Sequence, residues 1–161
     1  DEEVSEEEFL TVHDTLTAAG FEHYEVSNYA LPGFRARHNA SYWHGTKYLG
    51  IGPAAHSFDG EERHWNASSV EKYIAGAPAG KEVLTRRDRF NEYVMTALRT
   101  VEGIDLEEAA ARFGAKRLAR MQEEAAPFLR SGTLRIARGR MALPPEKFLI
   151  SDAVIGALFE T

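Results

Sequence analysis

Between Tyr24 and Phe58 the chain reads YEVSNYALPGFRARHNASYWHGTKYLGIGPAAHSF, and neither the period of a helix nor that of a strand runs through it. The stretch gathers aromatic rings, two arginines, a glycine-rich segment and three of the chain's six histidines. A local pattern that contradicts regular structure marks a surface shaped for something other than packing. The rest of the chain then divides into a helix leading into this stretch and a helical unit following it.

The absence of cysteine excludes a disulfide, a thiolate nucleophile and any thiolate-held zinc or iron–sulfur cluster within the 161 residues. An apolar fraction of 43% beside 27% charged residues is that of a globular protein, and no apolar run reaches the ~20 residues of a membrane span. No signal peptide is visible, and a start at Asp1 suggests a processed or excised piece. Residues 1–80 carry 5 basic and 13 acidic side chains, whereas residues 81–161 carry 14 and 12. Two units with different surfaces are expected, 1–80 and 81–161.

In the first unit, Ser5 and Glu8 have the spacing of a capping box, with Phe9, Val12, Leu16 and Ala19 on one face and Gly20 as the stop. A strand should follow, Tyr24, Val26 and Asn28 facing one side and Glu25 and Ser27 the other, completing the αβ half of an α/β unit. Pro32-Gly33 makes a turn, Tyr48–Ile51 has strand character, and Asp59-Gly60 turns a hairpin back through Arg63, His64 and Trp65. A capping box at Ser68–Glu71 opens a short helix through Tyr73 and Ile74, and Ala75–Gly80 reads as a linker.

In the second unit, Thr85–Asp88 opens a helix with Phe90, Val94, Ala97, Leu98 and Val101 on one face, stopped at Gly103. Asp105 caps a helix reaching Phe113 and Gly114. A third helix from Ala115 carries Leu118, Met121 and Ala125 and should end or kink at Pro127. Strands on either side of Arg138-Gly139 form a wing. After Pro144-Pro145 a last helix carries Phe148, Ile150, Val154, Ile155 and Leu158. Three helices and a two-stranded wing is the plain reading.

Arg35, Arg37 and His38 beside Tyr42 and Trp43 suit a large, flat, anionic ligand; the same residues also read as core aromatics, solvated arginines and a hydrogen-bonded histidine. Gly50, Gly52, Ala54 and Ala55 strip a strand end of bulk, so that another backbone or a cofactor can come close. This segment is neither a phosphate loop nor a dinucleotide fingerprint. Two rivals remain. Lys116, Arg117 and Arg120 on the third helix, with Arg135, Arg138 and Arg140 on the wing, could contact nucleic-acid phosphates, although Glu123 and Glu124 share that helix. His38, His44, His56 and His64 could serve a metal hydrolase, but none has the spacing that sets two ligands on one helical face.

Taken together, HYEVSNYA, the H-N-x-x-Y-W set of His38, Asn39, Tyr42 and Trp43, and YLGIGPAAHSF resemble the oxygen-independent coproporphyrinogen III oxidase-like radical S-adenosylmethionine proteins, in their haem chaperone (HemW) branch. The resemblance implies α/β plus α architecture: the end of a partial (β/α) radical SAM barrel, followed by a small helical, winged-helix-like C-terminal domain. It implies that the intact protein binds a 4Fe–4S cluster and S-adenosylmethionine, the cluster through a three-cysteine motif foreign to this chain, which should be catalytically inert by itself. By the same comparison His38, Asn39, Tyr42 and Trp43 face haem, with His38 the candidate axial iron ligand. Gly50, Gly52, Ala54 and Ala55 then lie where S-adenosylmethionine approaches. A cytoplasmic protein that passes haem to acceptor proteins is expected, with oxidative decarboxylation of coproporphyrinogen III as the competing activity and nucleic acid as the disfavoured partner.

Overall fold

The computed structural model describes residues 2–43, 45–78 and 80–161, apart from the side chains of Glu2, Asn39 and Tyr42. Helix α1 (Glu2–Ala18) begins ahead of Ser5, so the expected capping box lies inside it; acidic residues such as Glu3 complement the amide end instead. Its inward stripe is Phe9, Leu10, His13, Leu16 and Thr17, whereas Val12 is 48% exposed. His13 takes the place expected of Val12 because its Nδ1 lies 2.9 Å from Nδ1 of His23.

Gly20, at φ +88°, releases the chain into a hairpin of β1 (Glu22–Glu25) and β2 (Asn28–Ala30). The single strand expected through Asn28 does not form. The Val26 amide donates to Arg99 O at 2.9 Å and the Val26 side chain packs on the C-terminal core, which turns the chain at Val26-Ser27. His23, Tyr24 and Glu25 are consecutive and all buried, because both faces of β1 are covered.

Pro32-Gly33 turns as expected, Phe34 N donating to Leu31 O at 2.9 Å, and leads to the short helix α2 (Arg37–Trp43). The strand expected over Tyr48–Ile51 is reduced to a single bridge between Tyr48 and Phe58. Strands β3 (His56–Phe58) and β4 (Glu62–Trp65) form the expected hairpin, closed by the Asp59 carboxylate accepting from the amides of Glu61 and Glu62 at 2.9 and 2.7 Å. Ser69, one residue later than expected, caps α3 (Val70–Ile74). The linker expected to run to Gly80 instead delivers that residue into β5 (Gly80–Val83), which pairs with β4. Glycine is required there, since a Cβ on Gly80 would stand 2.2 Å from the Trp65 indole.

Thr85 and Asp88 form a reciprocal capping box at the start of α4 (Arg86–Ala97), and Asp105 accepts from the amides of Glu107 and Glu108 to start α5 (Leu106–Phe113). Helix α6 (Ala115–Arg130) runs through Pro127 without stopping, because Phe128 and Leu129 beyond it pack against the core. Arg138 and Gly139, both at positive φ, make the tight turn between β7 (Arg135–Ala137) and β8 (Arg140–Ala142). A further strand, β6 (Ile104–Asp105), joins β8, so the wing has three strands rather than two. The expected last helix divides into a 3₁₀ turn (Pro145–Ile150) and α7 (Ser151–Leu158); the tighter turn sends Phe148 inward and leaves Ile150 45% exposed.

One apolar core joins Phe90, Val94 and Leu98 to Ile104, Met121, Met141, Phe148 and Leu158, with Phe9 and Val26 reaching it from the first unit. Among the described residues from Leu31 to Val83, by contrast, no side chain is buried. Phe34, Leu49, Ile51 and Ile74 stand 78–83% exposed. No helix among the described residues is long and apolar enough to cross a membrane.

His23 lies between Tyr29, stacked at 4.0 Å, and the edge of Phe148 at 5.1 Å. Burial, reinforced by the neighbouring His13, lowers its pKa to about 4 from 6.5. A group whose folded pKa is depressed contributes stability above its unfolded value and loses it as pH falls. The melting temperature should therefore hold above pH 6.5 and drop as pH falls towards 4, a loss of roughly 3 kcal/mol from this group. In His23→Phe, melting curves across that range should be flatter by this amount.

Candidate functional site

Helix α2 has only seven residues, and at ~100° per residue His38 and Trp43 stand roughly 140° apart around its axis. His38 is exposed, and its carbonyl accepts from Ser41 Oγ at 2.6 Å. Trp43 is half-buried and faces a cavity of about 510 Å³ between the end of α2, the β3–β4 hairpin and α4–α5. The structure thus separates two residues that the sequence grouped. The side chains of Asn39 and Tyr42, and His44 as a whole, lie outside the described residues.

Among the described residues, four rings stand on the cavity walls: Trp43, Tyr48, Phe58 and Tyr93. Tyr93 is fixed at both ends of its hydroxyl, donating to Asp105 O at 3.2 Å and accepting from Asp105 N at 3.1 Å. Burial, with Glu108 nearby, pushes its pKa up to about 12, so it stays a neutral phenol. The charges around the walls are largely matched. Arg63 meets Glu92 at 2.6 Å, Arg112 meets Glu108 at 2.8 Å while lying 5.0 Å over the Tyr93 ring, and Arg140 meets Asp105 at 3.0 Å. Glu102 on the same wall is held by Arg35, which also binds Glu22 at 2.9 Å.

Sequence reading missed Arg89, Glu92, Tyr93 and Thr96 as cavity residues. Their signal was present: at steps of three and four they form a polar stripe on α4 beside its apolar one, and Thr100 continues the spacing just beyond the helix.

The small-residue segment is occupied with itself. Gly50 N donates to Ser57 Oγ at 3.0 Å, Gly52 N to Tyr73 Oη at 3.2 Å, and Asn66 Nδ2 donates to Gly52 O at 2.9 Å. A Cβ on Gly50 would stand 2.0 Å from His56 O, so the close approach expected of another backbone or a cofactor is made, at this residue, by the backbone of the chain's own hairpin. Gly52, at φ +111°, has open space beside it, and Ala54 at φ +57° holds a conformation that side chains rarely adopt. His56 and His64 do not converge: His56 pairs with Trp65 and His64 with Ser57, so the two histidines point to opposite faces of the hairpin.

The basic residues of α6 and the wing are mostly spoken for. Arg117 binds Glu160 at 2.6 Å, Arg120 binds Glu124 at 2.9 Å and reaches Glu160 at 3.8 Å, and Arg135 binds Glu146 at 3.4 Å. A phosphate would have to displace these carboxylates.

Against this geometry stand the likenesses to known proteins. Residues 84–150 match the HemN C-terminal domain family. The chain is 36% identical over 164 aligned positions to the haem chaperone HemW of Mycobacterium tuberculosis (strain H37Rv), covering 98% of this chain and 40% of that protein. To the haem chaperone HemW of Lactococcus lactis it is 36% identical over 106 positions, 63% of this chain and 28% of that one. The chain thus spans about 40% of the length of the first of these relatives. In three dimensions it resembles the radical SAM enzyme coproporphyrinogen III oxidase (HemN) of Escherichia coli, with a TM-score of 0.69 at 17% identity over 93% of this chain and 39% of that chain. The architecture expected from sequence is therefore that of part of the HemN fold.

Gly50→Ala should lower stability by about 2 kcal/mol, because the new methyl meets backbone rather than a yielding side chain. Gly156→Ala, in the exposed middle of α7 with no atom within 4 Å of the new methyl, should raise it by about 0.5–1 kcal/mol. Denaturant midpoints of the two variants on either side of wild type would check the pair. The ion pairs of α6 predict further that the chain elutes from immobilised double-stranded DNA without salt-sensitive retention.

Proposed function

This is a HemW-like chain bearing a HemN C-terminal domain, and from that premise we propose that it is the haem-facing part of a cytoplasmic haem chaperone that passes haem to acceptor proteins. The observation that carries the reading is the placement of His38: an imidazole on the outer face of a short helix, within a stretch from Leu31 to Val83 that buries no side chain among its described residues. A histidine so placed can meet iron without first leaving a core. His38 is the axial ligand in this reading, with Asn39 and Tyr42 proposed beside it, whereas Trp43, turned into the cavity that His38 does not line, is proposed to meet a flat guest from that side. The exposed rings and aliphatic groups of Phe34, Leu49 and Ile51 are the kind of surface that a large apolar guest or the rest of such a protein covers.

The whole protein's 4Fe–4S cluster and S-adenosylmethionine belong to the same proposal. This chain's residues do not fit the cluster, since there is no cysteine among all 161. They fit S-adenosylmethionine only in part. Gly50 has no room for it, and the amides of Gly50 and Gly52 are taken by Ser57 Oγ and Tyr73 Oη. Its approach is therefore proposed along the open side at Gly52, with Ala54 and Ala55 shaping that edge. Radical chemistry needs the cluster, so the chain by itself holds and orients haem and performs no redox step.

Oxidative decarboxylation of coproporphyrinogen III, the competing activity that the sequence resemblance implies, is the second reading; the E. coli structural neighbour is named a coproporphyrinogen III oxidase. Haem transfer is preferred because the relative matching 98% of this chain carries the chaperone name and the H-N-x-x-Y-W set resembles that branch.

Titrating haem into the chain should shift the Soret band, and His38→Ala should weaken haem binding by on the order of tenfold, about 1.4 kcal/mol. A spectrum that does not respond to wild-type protein would remove the reading.

A further inference from the structure

We infer that the cavity between α2, the β3–β4 hairpin and α4–α5 receives a flat, carboxylate-bearing aromatic molecule of the porphyrin class, and that Arg89 is the cation that holds its carboxylate. The ligand class rests on the haem reading; the place and the residue do not. The cavity, about 510 Å³, falls within the roughly 300–1,000 Å³ of small-molecule sites. Trp43, Tyr48 and Phe58 come to it from outside the apolar core cluster, so these rings are not there to fill that core. Flat walls from separate elements suit a flat guest.

Charge decides the rest. Three of the four lining arginines are matched: Arg63 by Glu92, Arg112 by Glu108 and Arg140 by Asp105. The remaining lining carboxylate, Glu102, is matched by Arg35. Arg89, half-buried on the polar stripe of α4, makes no ion pair among the described residues. One lining cation is therefore left over, and a guanidinium presents a planar fork that fits a carboxylate through two parallel hydrogen bonds. A neutral or cationic guest would leave that fork unused.

The test titrates iron-free protoporphyrin IX and its dimethyl ester into the full chain, in a Trp65→Phe background so that fluorescence quenching reports Trp43. Melting curves establish that each variant is folded. The acid should quench Trp43, and Arg89→Gln should weaken its binding roughly tenfold or more, the effect of losing one charge-assisted hydrogen bond. The dimethyl ester should bind weakly and equally to both proteins, while Arg89→Lys should recover part of the affinity for the acid. Equal binding of the acid to wild type and Arg89→Gln, or equal binding of acid and ester to wild type, overturns the assignment. If haem still shifts its Soret band under those outcomes, the haem reading survives and only the cavity assignment is lost. If wild type binds neither haem nor protoporphyrin, both fall together.

Discussion

The architecture depends on a short seam in which β1 is stitched to the chain that follows α4. Val26 N donates to Arg99 O at 2.9 Å, Val101 N donates to Tyr24 O at 3.1 Å, and Glu25 bridges Thr100. These bonds tie the first unit to the second through backbone, which fixes register as well as distance. Glu25 lies fully buried within the seam. It accepts from Asn28 Nδ2 through Oε1, while its Oε2 has no hydrogen-bond partner among the described residues. An unsatisfied buried oxygen costs about 1–3 kcal/mol, so the seam must be held by the packing around it rather than by the carboxylate. With β1 anchored, the turn at Pro32-Gly33 and then α2 are brought against α4, and the cavity follows from that placement.

Two modes of cohesion coexist in the chain. From Leu84 onward, helices and the small wing close over a shared apolar core. From Leu31 to Val83, cohesion comes from the β3–β4–β5 sheet and from single hydrogen bonds and ion pairs between elements: Asn66 with Gly52, Tyr73 with Gly52, Ser57 with Gly50, and Arg63 with Glu92. Each contributes only about a kilocalorie per mole, so such a region keeps its shape mainly by leaning on a rigid neighbour.

Local chemistry made much of this legible in the sequence. The Thr85–Asp88 box, the Asp105 cap, the Gly20 stop and the Asp59-Gly60 and Arg138-Gly139 turns are decided by residues within one turn of each other, and all formed. Features decided by partners far along the chain were not legible. Val26 turns because Arg99 takes its amide, and His13 replaces Val12 because His23 lies beneath, whereas the bare strand end at Gly50 was legible as room for another backbone, which His56 supplies. At the site, the cluster of rings and cations was visible but the short helix α2 that carries it was not, so His38 and Trp43 were grouped although they stand apart on it. Arg89 was hidden for a different reason: a polar stripe on a helix reads as solvent-facing unless another element is known to face it.

Glu160 has a consequence for the far side of the molecule. Asn91 holds its backbone by a reciprocal pair of hydrogen bonds, 3.0 Å to its oxygen and 2.8 Å from its nitrogen, which fixes the carboxylate against Arg117 and within reach of Arg120. The residue thus acts as a tethered counterion that keeps this cationic face electrically quiet. Charge reversal at this one residue would strip Arg117 of its carboxylate and set a new cation beside it, raising the positive potential of this face although Glu124 still holds Arg120.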